Sequence, residues 1–123
     1  MPRLLLVEDN EMNRDMLSRR LARVGHEALI AETATMGIVM ARNASPDLVL
    51  MDIHLGENDA KAFVDNIRKN EHLQFTKIVA MSGKLTDGQA HGLRSQGYHG
   101  FLRKPFQVRQ VVEAIEQATN VAA

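Results

Sequence analysis

Three short runs of this sequence are apolar without a break: Leu4–Val7, Leu48–Met51 and Ile78–Met81. A strand with one face in water alternates apolar and polar residues, so unbroken runs predict strands covered on both faces. Such coverage requires helices above and below a sheet, and helix-period stretches do separate the runs. With two less continuous segments added, the strands fall at Arg3–Val7, Glu27–Ala31, Asp47–Asp52, Lys77–Met81 and His99–Leu102.

Between them, Met12, Met16, Leu17, Leu21 and Val24 mark a first helix closed by Gly25 as C-terminal cap. Ala34, Gly37, Ile38 and Ala41 mark a second, from an N-cap at Thr33 to Ser45-Pro46. Phe63, Val64 and Ile67 mark a third, and Val108, Val111, Val112 and Ile115 repeat at i, i+3, i+4, i+7 in the last. The seven methionines fall mostly at core spacing and are read as packing. A fourth helix is expected at about Asp87–Gln96, in a region where five of the eight glycines lie between Gly83 and Gly100. Each interior glycine costs roughly 0.5–1 kcal/mol against alanine, which makes this the least stable element and, as a hypothesis, a moving one.

Strand–helix alternation with short connections predicts an α/β fold. It is a doubly wound, five-stranded parallel sheet with five helices on two faces and right-handed crossovers. A length of 123 residues suits one domain, residues 1–123, and 45% hydrophobic residues supply its core. Fifteen acidic residues balance fifteen basic ones, which argues against a general nucleic-acid binder or a polybasic membrane-surface protein. The absence of cysteine excludes disulfides, thiolate catalysis and cysteine metal sites. No segment approaches the ~18 apolar residues of a membrane helix, and the N-terminus lacks a signal-peptide pattern. A soluble, cytoplasmic domain is expected.

In such a sheet, ligands bind at the carboxyl ends of the strands. The first strand is followed by Glu8-Asp9, the third ends in Asp52, the fourth reaches Ser82, and the fifth runs into Lys104-Pro105. Each has an ordinary explanation alone: Glu8-Asp9 as acids favoured at a helix N-terminus, Asp52 as a strand-ending cap. Their joint placement at one sheet edge is what points to a site. Two like charges ~4 Å apart at an effective dielectric of ~20 repel by about 4 kcal/mol, so a cation, a proton or both must offset the cluster. Oxygen ligands without His or Cys suit Mg²⁺. Carboxylate, metal, hydroxyl and lysine together are the parts of a phosphoryl-transfer site.

In order and spacing, "LLLVEDNEMNRDML", "PDLVLMDIHL", "KIVAMSG" and "GFLRKPF" resemble the receiver domain of two-component response regulators, from Leu4 to about Gln117. The resemblance implies a flavodoxin-like fold with strand order 2-1-3-4-5. It implies that Asp52 accepts a phosphoryl group from a phosphohistidine on a sensor histidine kinase or histidine phosphotransfer protein. Glu8, Asp9, Asp52 and the backbone carbonyl of His54 would hold Mg²⁺; Ser82 would hydrogen-bond the phosphoryl oxygens and Lys104 would pair with them. Phe101 stands at the family's aromatic switch position, and the surface formed by the fourth helix, fifth strand and fifth helix would respond. The pattern departs from the family at Gly56 (commonly Pro), Ala60 (commonly Gly) and Gly83 (commonly Ala). His54 and Lys84 occupy positions that tune hydrolysis of the phosphoryl group, and a long cation at Lys84 predicts slow loss in a decay assay.

The rival functions are a degenerate receiver that binds partners without phosphorylation and a Mg²⁺-dependent phosphatase. The latter typically carries a second Asp two residues past the first, where this chain has His54. The expectation is therefore a regulator rather than an enzyme with an output domain, since the chain ends shortly after the last helix. Arg19, Arg20 and Arg23 form a basic face read as solvated, and the five histidines show no metal-ligand spacing.

Overall fold

The computed structural model describes residues 3–54, 59–83, 92–104 and 107–119. Their order is β1 Leu4–Val7, α1 Glu11–Arg23, β2 Ala28–Ala31, α2 Ala34–Ala44, β3 Leu48–Asp52, α3 Asp59–Lys69, β4 Lys77–Ser82, β5 Gly100–Arg103 and α4 Val108–Thr119. The five strands pair in parallel in the order β2-β1-β3-β4-β5, as expected. Leu4 stands opposite Leu48 and Asp52 opposite Met81, so the ends of β1, β3 and β4 lie side by side.

The unbroken apolar runs divide by the pleat, because successive side chains leave a strand on opposite faces. Leu5, Val7, Val49, Met51, Ile78 and Ala80 meet Phe63, Val64 and Ile67 of α3 and Ala34 and Ala41 of α2. Leu4, Leu6, Leu48, Leu50, Val79 and Met81 meet Leu17 and Leu21 of α1 and Val111 and Ile115 of α4. The same alternation runs on into the polar ends. Glu8 and Asp52 continue the parity of the α1/α4 face, and Ser82 continues that of the α2/α3 face.

Local chemistry fixes the helix ends. The Asn10 side chain accepts from the Asn13 N–H at 2.9 Å and Thr33 from the Met36 N–H at 3.1 Å, each satisfying a donor left over in a first turn. Gly25 follows α1 with φ of +88°, the left-handed geometry expected of it. Arg68, at the end of α3, donates to the carbonyls of Gln74, Thr76 and Gly97, clamping the approach to β4 against the turn before β5.

Several expectations are corrected. The first helix buries only Leu17 and Leu21; Met12 is 79% exposed, and Met16 and Val24 are also exposed. Against a sheet, α1 presents a narrower face than its full run of apolar residues. Met36 is exposed as well, so the methionines divide, with Met51 and Met81 in the core. Of the helix expected at 87–96, residues 87–91 lie outside the described residues, and Arg94–Gln96 forms a short 3-10 turn. The described residues hold the other four expected α-helices. Lys84 and Gly56 lie outside the described residues too. Among the described residues no helix is long and apolar enough to cross a membrane.

Tyr98, the sole tyrosine, is buried beside the 3-10 turn. Burial, reinforced by the charge of Asp65, pushes its hydroxyl up to about 12 from an ordinary value of 10.0. Because the folded value lies above the unfolded one, this contribution to stability is complete below pH 10 and is lost as pH rises through about 12. An ultraviolet titration reads this one group without deconvolution. The expected result is ionisation near 12, coupled to unfolding; a reversible midpoint at 10 in folded protein would contradict the burial.

Candidate functional site

The carboxyl end of the sheet gathers the polar residues picked out in the sequence. Glu8 is only 1% exposed and Asp52 7%, whereas Asp9 projects into solvent. Oxygens of all three carboxylates lie within 4.8 Å of one another. Lys104, just past β5, spans two of them: its Nζ donates to Glu8 Oε1 and to Asp52 Oδ2, each at 3.1 Å. Asp52 Oδ1 accepts from the backbone N–H of His54 at 2.8 Å.

These contacts set the ionisation of the cluster. Burial raises the Glu8 carboxyl above its usual range, and sharing a hydrogen bond with Asp52 raises it further, more than Lys104 can reverse. Burial pushes Asp52 up as well. There the hydrogen bonds from Glu8, the His54 N–H and Lys104 outweigh burial and hold the carboxyl below its usual range. Burial disfavours the Lys104 ammonium, but Asp52 and Glu8 more than compensate and raise it. Of the two acids, Asp52 is therefore the more readily ionised. Between two such acids the ionised member is the available nucleophile.

The donor set also fits a hard divalent cation. Glu8 Oε2 is buried with no hydrogen-bond partner, although a buried carboxylate oxygen without a donor is costly. Glu8, Asp9 and Asp52 together offer an all-oxygen group of the kind Mg²⁺ prefers, with Asp9 open to water. One half-buried lysine opposite three acids leaves negative charge that a cation would neutralise.

Ser82, at the end of β4, is buried, and its Oγ lies 2.6 Å from His54 Nε2. Phe101 lies on β5, 40% exposed, with the Arg103 guanidinium 5.6 Å from its ring centroid. Beside Glu8 and Lys104 opens a cavity of about 410 Å³, lined by Asn13, Met16, Leu17, Arg20 and Met81. Arg20 thus borders the site, while Arg19 makes an exposed pair with Asp15 at 3.1 Å.

All seven residues singled out in the sequence are described. Glu8, Asp9, Asp52 and Lys104 come together, His54 joins Asp52 through its N–H, and Ser82 joins them through the His54 ring. Phe101 sits one strand over. Two contacts escaped the sequence reading. The sequence gives His54 a carbonyl ligand and a position that tunes hydrolysis, but not the contact of its ring with Ser82. Arg14 donates to the carbonyls of Glu8 at 3.1 Å and Asp9 at 3.3 Å, holding the acid pair's backbone from α1. No sequence signal announces either, because both depend on how separate segments approach in space.

Comparison with known proteins agrees with this geometry. The family model described as "Response regulator receiver domain" matches residues 4–116. The polar-differentiation response regulator DivK of Brucella ovis is 26% identical over 113 residues, covering 92% of each chain. The chemotaxis response regulator CheY4 of Vibrio cholerae shares the fold with a TM-score of 0.86 at 23% identity, over 96% of this chain and 98% of that one. NtrX from Brucella abortus aligns over 98% of this chain but only 26% of its own, at 28% identity and a TM-score of 0.85. One family model thus runs through β1 and into α4, across every strand that delivers a residue to the cluster, and the chain belongs to the response regulator receiver domain family.

Proposed function

We propose that this receiver is phosphorylated on Asp52 by a phosphohistidine of a sensor histidine kinase or histidine phosphotransfer protein, with Mg²⁺ held by Glu8, Asp9, Asp52 and the His54 carbonyl. The observation that carries the reading is the buried, ionised Asp52 beside two further carboxylates and bridged to Glu8 by Lys104.

In this reading an Asp52 oxygen forms a bond to phosphorus as the phosphorus–nitrogen bond of the donor breaks and its electron pair returns to the leaving imidazole. The bound metal supplies charge neutralisation for carboxylate and phosphoryl oxygens at once. Lys104, already on Asp52 Oδ2, would turn toward the oxygens of the new acyl phosphate, which adds negative charge at that point. The Ser82 hydroxyl would donate to another of them. Phe101, outward in this structure, would follow into the space that Ser82 leaves, altering the surface around β5 and α4. A cytoplasmic location follows from the kinase partner.

Incubation with a small-molecule phosphodonor, followed by intact mass, tests the reading. The expected result is one added phosphoryl group that requires Mg²⁺ and is blocked by a chelator. No addition, under conditions that label a known receiver, would favour a receiver that binds its partners without phosphorylation.

A further inference from the structure

We infer that the His54 side chain is a latch on the switch hydroxyl: its ring holds Ser82 in the unphosphorylated arrangement, and phosphorylation must break that hold. This rests on the phosphoacceptor reading and extends it to a side chain that the metal site does not use.

His54 Nε2 and Ser82 Oγ lie 2.6 Å apart, within hydrogen-bond range for either ring tautomer. The bond spans 28 residues of sequence and joins the loop after β3 to the end of β4. It is made while Phe101 is exposed, which in the proposed reading is the arrangement before the switch. The His54 N–H is meanwhile fixed to Asp52 Oδ1 at 2.8 Å, which anchors the ring's own backbone to the phosphoacceptor. A ring so tethered cannot follow Ser82 freely if the hydroxyl swings toward a phosphoryl group. The bond to the ring is then exchanged for the bond to the phosphoryl oxygen, and the first offsets part of the second. A side chain here that cannot hydrogen-bond should ease the swing by about the factor one ordinary hydrogen bond is worth, roughly two- to tenfold.

The measurement is calorimetric titration with beryllofluoride, a phosphoryl mimic, at saturating Mg²⁺, so that any change in metal affinity drops out. His54→Phe keeps a ring of similar size without its nitrogens and is expected to bind two- to tenfold more tightly than the native chain. His54→Gln, which can still reach Ser82 with a polar group, should return toward native affinity. In a Ser82→Ala background, His54→Phe should change nothing, an outcome that a general loosening of the loop would not produce. Equal or weaker binding by His54→Phe, or the same gain without the Ser82 hydroxyl, would overturn the latch alone. A native chain that ignores beryllofluoride with Mg²⁺ would overturn the phosphoacceptor reading, and the latch with it.

Discussion

Asp52→Asn is expected to reduce phosphoryl incorporation to background while leaving the domain folded. The amide keeps the shape of the side chain but has no anionic oxygen to attack phosphorus, and it removes one of three carboxylates from the acidic cluster. The consequences for stability partly cancel. Asp52 has a depressed folded value, so its ionised form stabilises the fold above its ordinary value of 3.8, and that contribution is lost as pH falls through the folded value. Glu8 has the opposite sign: its raised value means that ionising it opposes folding as pH rises above 4.5. Substituting Asp52 removes a stabilising anion but also relieves Glu8 of an acidic neighbour that raises it. The net change should lie within about 1 kcal/mol, near the centre of the range for point substitutions. Intact mass with a phosphodonor checks the first expectation and urea unfolding the second. Full incorporation into Asp52→Asn would move the acceptor elsewhere.

Phe63→Ala should produce the largest loss of stability, about 3–5 kcal/mol. The ring is fully buried between α3 and the sheet, and it lies where a Cβ on Gly37 of α2 would meet Phe63 Cε2 and Val7 Cγ2, each at 3.0 Å. The glycine inside α2 is thus explained by this contact: α2 approaches the ring too closely for a methyl group. A domain of this size is stable by only about 5–15 kcal/mol, so the substitution removes a large share. The urea midpoint should fall sharply with little change in slope. Adding Gly37→Ala to Phe63→Ala should recover about 0.5–1 kcal/mol, because Val7 Cγ2, the other close neighbour, can then shift into the space the ring leaves and alanine favours the helix. The same change in the native chain meets the ring. Such non-additivity is expected of residues that share one contact, and strict additivity would show that the ring does not press on Gly37.

Some of this was legible before any coordinates. The runs at Leu4, Leu48 and Ile78 dictated strands buried on both faces, since four consecutive apolar side chains cannot all avoid water otherwise. Alternation with helix-period segments then dictated a parallel sheet. Glu8, Asp52, Ser82 and Lys104 were recognisable as a group because a parallel sheet brings the residues after its strands to one edge, whatever separates them in sequence. The methionines of α1 misled for a related reason: periodicity shows which residues share a helix face, but not how wide a stripe the neighbouring sheet will cover.

The tertiary structure decided what depends on distance. That Glu8 is pushed up and Asp52 held down follows from burial and from who donates to whom, and two carboxylates look alike in a sequence. That Lys104 spans both acids, and that His54 reaches Ser82 across two strands, follows from register to within an ångström. Pattern and propensity act over a few neighbouring residues and so fix elements and their order. Ionisation and hydrogen bonding act through space, and only the folded chain sets those separations.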